Sequence, residues 1–183
     1  TINISSPNTE NLRNFHNKTE LEELLESIQN EKMKLYTKIP IAVKISPNIE
    51  NNKIEIIAEI LKKYSVDILI ISNTSDKNRE NLKNINKLEK GGLSGKPIEL
   101  LSNLLINKFY KLIGEKIKII GVGGVDSGQG AFEKIINGAS LVQLYTGMVY
   151  KGPNIASIIS NELIDILKKQ GIENISQAVG TKN

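Results

Sequence analysis

Apolar and polar residues exchange places along this chain with two periods, and the switches between them mark out the elements. Ile2 and Ile4 fall on one side of an extended segment while Asn3 and Ser5 fall on the other, the period of a strand. Pro7 ends it, so Ser6, Asn8 and Thr9 collect in a stiffened loop at its C-terminal tip. Thr19 followed by Glu22 forms a capping box, and Leu21, Leu24, Leu25 and Ile28 recur at helical spacing up to about Leu35. A second strand runs from Pro40 to Ser46 and is closed by Pro47. Its Ile41, Val43 and Ile45 share one face, which leaves Ala42, Lys44 and Ser46 on the other. Ile54, Ile57, Ala58 and Leu61 stripe a helix over about 51–64. The third strand, Val66 to Ser72, is almost continuously apolar, as a strand covered on both faces should be, and empties into Asn73-Thr74-Ser75.

Beyond it, Asp76 to Glu89 is a polar loop expected to be mobile, leading to Gly91-Gly92-Leu93-Ser94-Gly95-Lys96-Pro97. Pro97 suits the first turn of a helix carrying Ile98, Leu101, Leu104, Leu105 and Leu112. A fourth strand, Ile117 to Val122, runs into Gly123-Gly124-Val125-Asp126-Ser127-Gly128; a short helix follows and ends at Gly138. The fifth strand, Ser140 to Leu144, delivers Tyr145-Thr146, and a last helix over about 154–169 stops at Gly171. Strands alternate with helices and no hairpin signal intervenes, so the sheet is predicted to be parallel. A doubly wound sheet and a (β/α)8 barrel both fit that order. Five strands cannot close a barrel, yet all of them carry polar groups at their C-terminal ends, whereas a doubly wound sheet concentrates such groups at its switch point. The expectation is therefore an α/β fold made of the last five units of a barrel.

Composition narrows the function. The chain of 183 residues is the size of one domain. Its 24 Lys and Arg are scattered among 20 Asp and Glu, for a net charge of +4, which reads as solvated helix faces and not as a nucleic-acid surface. Aromatics at 4% provide no stacking platform for single strands. Without cysteine there is no disulfide framework, thiolate nucleophile or thiolate metal site, and His16 is the single histidine, so no metal site is expected. His16 itself follows Asn14-Phe15 in a loop and reads as non-catalytic. No apolar run approaches the roughly 18 residues of a spanning helix. The sequence opens without Met, inside a strand, and the expectation is that something has been removed from its front.

Several residues could carry chemistry. Lys44 is the sharpest, because an ammonium on the inward face of a barrel strand is costly unless an anionic ligand offsets it; the alternative is a lysine that snorkels to solvent. Gly121-x-Gly123-Gly124 is not the dinucleotide fingerprint, since the third glycine of that pattern would fall at Asp126. It offers backbone N–H groups before a helix, a phosphate site, and it lies on the penultimate strand, where barrels grip phosphate. Ser6 is a base or nucleophile if a proton relay assists it, and otherwise a turn cap. Asn3, Asn8 and Asn73 can read a planar ring that alternates C=O and N–H, though each alone is also a common turn residue. Lys96 either touches phosphate or faces water, and Tyr145 is otherwise core at a strand end.

Taken together, Asn3-Ile4-Ser5-Ser6-Pro7-Asn8-Thr9, Val43-Lys44-Ile45-Ser46-Pro47, Ser72-Asn73-Thr74, Gly91-Gly92-Leu93-Ser94-Gly95-Lys96-Pro97, Gly121-Val122-Gly123-Gly124-Val125 and Gln143-Leu144-Tyr145-Thr146 resemble dihydroorotate dehydrogenase in order and spacing. The resemblance implies a (β/α)8 barrel that binds FMN and oxidises dihydroorotate to orotate in the pyrimidine (UMP) pathway. The family's soluble branch carries a cysteine base in the loop corresponding to Ser5-Ser6-Pro7-Asn8, and its quinone-dependent, membrane-associated branch a serine. Ser6 matches the latter. The resemblance further implies that Asn3, Asn8, Asn73 and Thr74 hold the substrate ring. Lys44 would sit at the pyrimidine end of the flavin, with Asn3 and Ser72 also touching FMN, and Gly95, Gly124, Tyr145 and Thr146 would bind its phosphate and ribityl chain. Departures are mild: Ser72 stands where Thr is common, Ser75 completes what is often Asn-Thr-Thr, and Asn48 replaces a frequent Asp.

Family members have a longer N-terminal part with the first barrel strands and, in the quinone branch, a membrane-facing helical segment. Residues 1–183 are accordingly read as the C-terminal part of an FMN-binding catalytic domain that binds FMN weakly and turns over little by itself. The expected setting is the cytoplasmic side of a bacterial inner membrane, or the mitochondrial inner membrane in a eukaryote, with peripheral contact through the absent segment. Two rival readings are another FMN- or phosphate-binding barrel enzyme and an inactive truncated fragment retained as a binding module.

Overall fold

A computed structural model describes residues 1–77 and 79–183. Five strands form one sheet, β1 (Ile2–Asn3), β2 (Ala42–Ile45), β3 (Ile68–Ile71), β4 (Lys118–Val122) and β5 (Leu141–Gln143), in the spatial order β1-β2-β3-β4-β5 and all parallel. Six helices accompany them: α1 (Lys18–Lys34), α2 (Asn51–Lys63), α3 (Glu99–Ile113), α4 (Gly128–Ile136), α5 (Thr146–Lys151) and α6 (Ile155–Gln170). An order that never reverses has no switch point, so right-handed crossovers lay every helix on the same side. This is the arrangement of a barrel wall and not of a doubly wound sheet.

The register shows which side that is. Val43, Leu69 and Ile119 stand abreast and are at most 1% exposed beneath the helices, as are Ile45 and Ile71 in the next outward row. The opposite face carries the row Asn3, Lys44, Ile70, Ile120, Leu141. Ile70 is buried there, but Leu141 is 61% exposed. The continuous apolar run of β3 is thus covered fully on its helix side and unevenly on its concave side.

Amphipathic stripes explain the packing. On α2, Ile54, Ile57, Ala58 and Leu61 are buried as their spacing requires, and Leu21 and Leu25 on α1 join them in one core with β1–β4. Truncating Leu61, with no exposed surface, to alanine would cost about 2–5 kcal/mol. Four local expectations are corrected. Helix α1 starts before Thr19: Asn17 occupies the cap position and its amide donates to Glu20 Oε1 at 3.3 Å, so Thr19-Glu22 is not a capping box. Leu104 on α3 is 53% exposed; the buried stripe is Ser102, Leu105, Ile106, Phe109 and Ile113. β1 ends at Asn3, because Ser5 turns inward to bond Asn3 instead of continuing the ladder. The stretch after β5, read as a connection to the last helix, forms the additional helix α5.

The 76–89 loop is pinned at several points, although Asn78 lies outside the described residues. Ser75 and Leu93 form a bridge at its base, with Leu93 N donating to Ser75 O at 2.6 Å. The Arg79 guanidinium donates to the carbonyls of Lys87 (3.1 Å), Glu89 (2.6 Å) and Gly91. Two of the three family departures meet at this base: the Asn48 amide and the Ser75 hydroxyl are hydrogen-bonded at 3.0 Å.

Candidate functional site

The C-terminal ends of β2–β5 open into one cleft of about 930 Å³. Lys44 comes from β2, Ser72, Asn73 and Thr74 from the tip of β3, Gly123 and Gly124 from β4, and Tyr145 and Thr146 from β5; Gly92, Ser94 and Gly95 close it from above. Adjacent strands lie about 4.8 Å apart, so the path from β2 to β5 crosses roughly 14 Å. An elongated ligand lying along it would have one end on Lys44 and the other between the glycine turn after β4 and the Tyr145-Thr146 tip of β5.

At the Lys44 end the polar side chains are tied to one another. Asn3 stands opposite Lys44 in the register, and its Oδ1 accepts from Ser5 Oγ (2.9 Å), Ser5 N (3.3 Å) and Asn73 Nδ2 (3.2 Å). Asn73 Nδ2 also donates to Ser5 Oγ (3.0 Å), and Asn73 Oδ1 accepts from Thr74 N (2.8 Å). The Ile71–Ser72 peptide at this tip is cis. Ser5, fully buried, is the residue that sequence reasoning missed here; a serine in a strand tip looks solvent-facing, and only the neighbouring strand supplies the amides that bury it. Among the described residues Lys44 has no hydrogen-bond acceptor or carboxylate partner for its amine, and it is half-buried, so full snorkelling into solvent is not its state.

Ser6 and Asn8 lie outside the cleft wall. The Asn8 N–H donates to Ser6 Oγ at 3.2 Å, so Ser6 does cap a turn, and Asn8 is exposed. Their loop still reaches the rim. A Cβ on Gly92 would fall 1.8 Å from Thr74 Oγ1 and 3.3 Å from Pro7 Cγ, so only glycine lets the Pro7 loop, Thr74 and the lining of the cleft close on one point.

The other end is built from backbone. Gly123 (φ 109°) and Gly124 (φ 81°) make the turn from β4, and a Cβ on Gly124 would strike Glu99 Cβ at 2.3 Å. A Cβ on Gly95 would come within 2.8 Å of Thr146 Cγ2, and Thr146 Oγ1 donates to Ser94 Oγ at 2.9 Å. Around this end Lys96 pairs with Glu99 (2.7 Å) and Lys151 with Asp126 (3.4 Å). Tyr145 is 79% exposed, which rules out the alternative that its ring is core at a strand end. Backbone N–H groups, hydroxyls and two lysines form a donor set suited to a phosphate monoester, so the residues present fit the phosphate end of a nucleotide cofactor.

His16 is elsewhere and is structural. It is buried in a 3-10 turn (Leu12–His16), not in a loop; its Nε2 accepts the Ser46 N–H (3.2 Å) and its Nδ1 donates to Arg13 O (3.0 Å). Burial holds its pKa below the usual histidine value.

A single-sided parallel sheet with ligand groups gathered at its strand C-termini and a glycine grip on the penultimate strand defines the C-terminal part of a β/α-barrel protein. A sequence model of the family described as dihydroorotate dehydrogenase matches residues 1–167. The chain is 42% identical over 181 residues to the mitochondrial dihydroorotate dehydrogenase (quinone) of Mus musculus, covering 98% of this chain and 46% of that protein. It is 41% identical to the dihydroorotate dehydrogenase (quinone) of Bartonella tribocorum, covering 96% and 50%. The crystal structure of a ligand-free DHODH from Eimeria tenella superposes with a TM-score of 0.95 at 33% identity, over all of this chain and 55% of that one. The chain therefore belongs to the dihydroorotate dehydrogenase family, and it spans about half the length of the curated relatives it matches.

Proposed function

We propose that the protein to which this chain contributes oxidises dihydroorotate to orotate in pyrimidine biosynthesis, with FMN as the bound flavin and a quinone as the final acceptor. The observation that carries this reading is the cleft itself, a lysine amine with no partner among the described residues beside an amide cluster at one end, and the glycine turn of β4 with the Tyr145-Thr146 tip of β5 two to three strands away. Membership of the family and the quinone type named for the relatives support the substrate and the acceptor.

FMN bound there would supply the hydride-accepting ring. Gly95, Gly124, Tyr145 and Thr146 would hold its phosphate and ribityl chain, and Ser72 and Asn3 would contact it further along. Lys44 would lie at the pyrimidine end, its ammonium stabilising negative charge gained on reduction. Asn3, Asn8, Asn73 and Thr74 would orient the substrate's C=O and N–H edges. Ser6 would take the proton from the ring carbon next to the one that surrenders hydride, so that one proton and one hydride leave together as the C=C bond forms. The Asn8 N–H already donates to Ser6 Oγ, a hydrogen bond that favours the deprotonated oxygen.

Peripheral contact with a bacterial or mitochondrial inner membrane, made by residues outside this chain, completes the reading; among the described residues no helix is long and apolar enough to cross a membrane. The decisive experiment is the visible spectrum of the intact purified protein under anaerobic conditions. A flavin spectrum bleached by dihydroorotate but not by NADH is the expected result. A colourless protein, or a flavin indifferent to dihydroorotate, would overturn the proposal and favour another phosphate-binding barrel enzyme.

A further inference from the structure

Behind the phosphate grip lies a charged group that the proposed chemistry does not use. Lys134, on α4, is fully buried. Its stem crosses β4 where a side chain on Gly121 would come within 2.9 Å of its Cδ. Its amine donates to Ser102 Oγ (3.0 Å) and Asn103 Oδ1 (2.9 Å), both on α3. Ser102 Oγ has one proton to give, and it goes to Val122 O (2.6 Å), with Ile71 O further off at 3.4 Å. Val122 O also accepts the Ser72 N–H at 3.2 Å. The amine is thus two hydrogen bonds from the last peptide of β4, whose next residues are Gly123 and Gly124.

Among the described residues no carboxylate lies within ion-pairing distance of this amine. The charges that reach it are Glu99, on α3 and already paired with Lys96, and Lys96 itself, in the turn before α3; where its stem passes Gly121 of β4, the other close side chains are the apolar Ile106 and Ala139. A buried ammonium with hydrogen bonds but no counter-charge is costly, and an anion held in the adjoining turn would reduce that cost.

We propose that Lys134 is a positioning residue for the phosphate of the nucleotide cofactor: through Ser102 it fixes the Val122 carbonyl that sets the Gly123-Gly124 turn, and its buried ammonium is the charge that a phosphate dianion in the turn offsets. This rests on the FMN reading above. Burial lowers the pKa of Lys134 to about 8, so near that pH part of the population has lost the proton. A phosphate monoester, whose second pKa is about 6, is by then fully dianionic. Its arrival raises the lysine pKa, and binding takes up a proton from solvent. Affinity is consequently greatest below pH 8 and falls as pH rises through the pKa of the free protein.

The test measures FMN dissociation constants of the intact protein by flavin fluorescence between pH 6.5 and 9.5, for wild type, Lys134→Met and Ser102→Ala, with riboflavin as the phosphate-free control. Wild type should weaken by about tenfold across that range, the equivalent of one pKa unit. Lys134→Met should bind less tightly with a flat profile, Ser102→Ala less tightly with the wild-type slope, and riboflavin should show no such slope in any of the three. Calorimetry of FMN binding to wild type at pH 8, in two buffers of different ionisation heat, should report proton uptake, a readout that survives if Lys134→Met does not fold. Parallel slopes in wild type and Lys134→Met, or no uptake, overturn the role of Lys134 while leaving the flavin reading intact. Failure of wild type to bind FMN at all overturns both.

Discussion

At the scale of single residues, the site depends on groups whose neighbours and not whose types give them meaning. Ser6 is a turn cap by its contacts and a proton acceptor by proposal, and the two separate on mutation. Ser6→Ala in the intact protein should lower the rate of flavin reduction by at least about 10²-fold while leaving flavin binding unchanged, as single-turnover kinetics would show; an unaltered rate would remove Ser6 from the chemistry. Gly92 is a sharper geometric case. Gly92→Ala places a methyl on Thr74 Oγ1, 1.8 Å away before relaxation, and should cost about 1–3 kcal/mol in thermal unfolding. Gly92→Ala combined with Thr74→Gly should recover much of that stability but not substrate affinity. Lys44 was readable from alternation alone; Gly92 was not, because a close approach between two loops leaves no period in the sequence.

At the scale of elements, α4 has two roles, a wall of the core and the carrier of a buried base. Its Lys134 has a folded pKa near 8 against 10.5 in the unfolded chain, so between those values the unfolded chain binds more protons. Stability from this group therefore rises with pH across that window, by about 3 kcal/mol if the whole 2.5-unit difference is realised. Denaturant unfolding at pH 8 and pH 10 should reveal a rise that Lys134→Met lacks. The 75–93 loop offers the complementary test. Arg79→Ala removes the guanidinium from three carbonyls, and hydrogen exchange should accelerate over 83–90 with the sheet amides unaffected. From sequence this loop reads as polar and mobile, since nothing in its composition announces that one arginine will bridge carbonyls up to 12 residues away.

At the scale of the molecule, the sheet has two edges, β1 and β5, and a concave face on which Leu141 remains 61% exposed. Unpaired edges and an exposed leucine on the concave face weaken a ligand site that lies across them. Residues 1–183 purified by themselves are therefore expected to bind FMN at least tenfold more weakly than the intact protein and to turn over little, as flavin titration of both would establish. Tight binding and robust turnover by the isolated chain would refute this.

The hydrophobic pattern determined that strands and helices alternate, that the sheet is parallel and which residues reach the strand tips, because periods of 2 and 3.6 and the stops at Pro and Gly are local properties. It also placed Lys44, Asn73 and Gly124 at those tips. The tertiary structure alone decided that the strand order never reverses, that Ser5 and Asn3 lock Asn73, and that Lys134 stands behind the glycine turn with no counter-charge among the described residues. Those facts depend on which elements become neighbours, and neighbours in space are chosen by packing of the whole chain, which no short window of sequence contains.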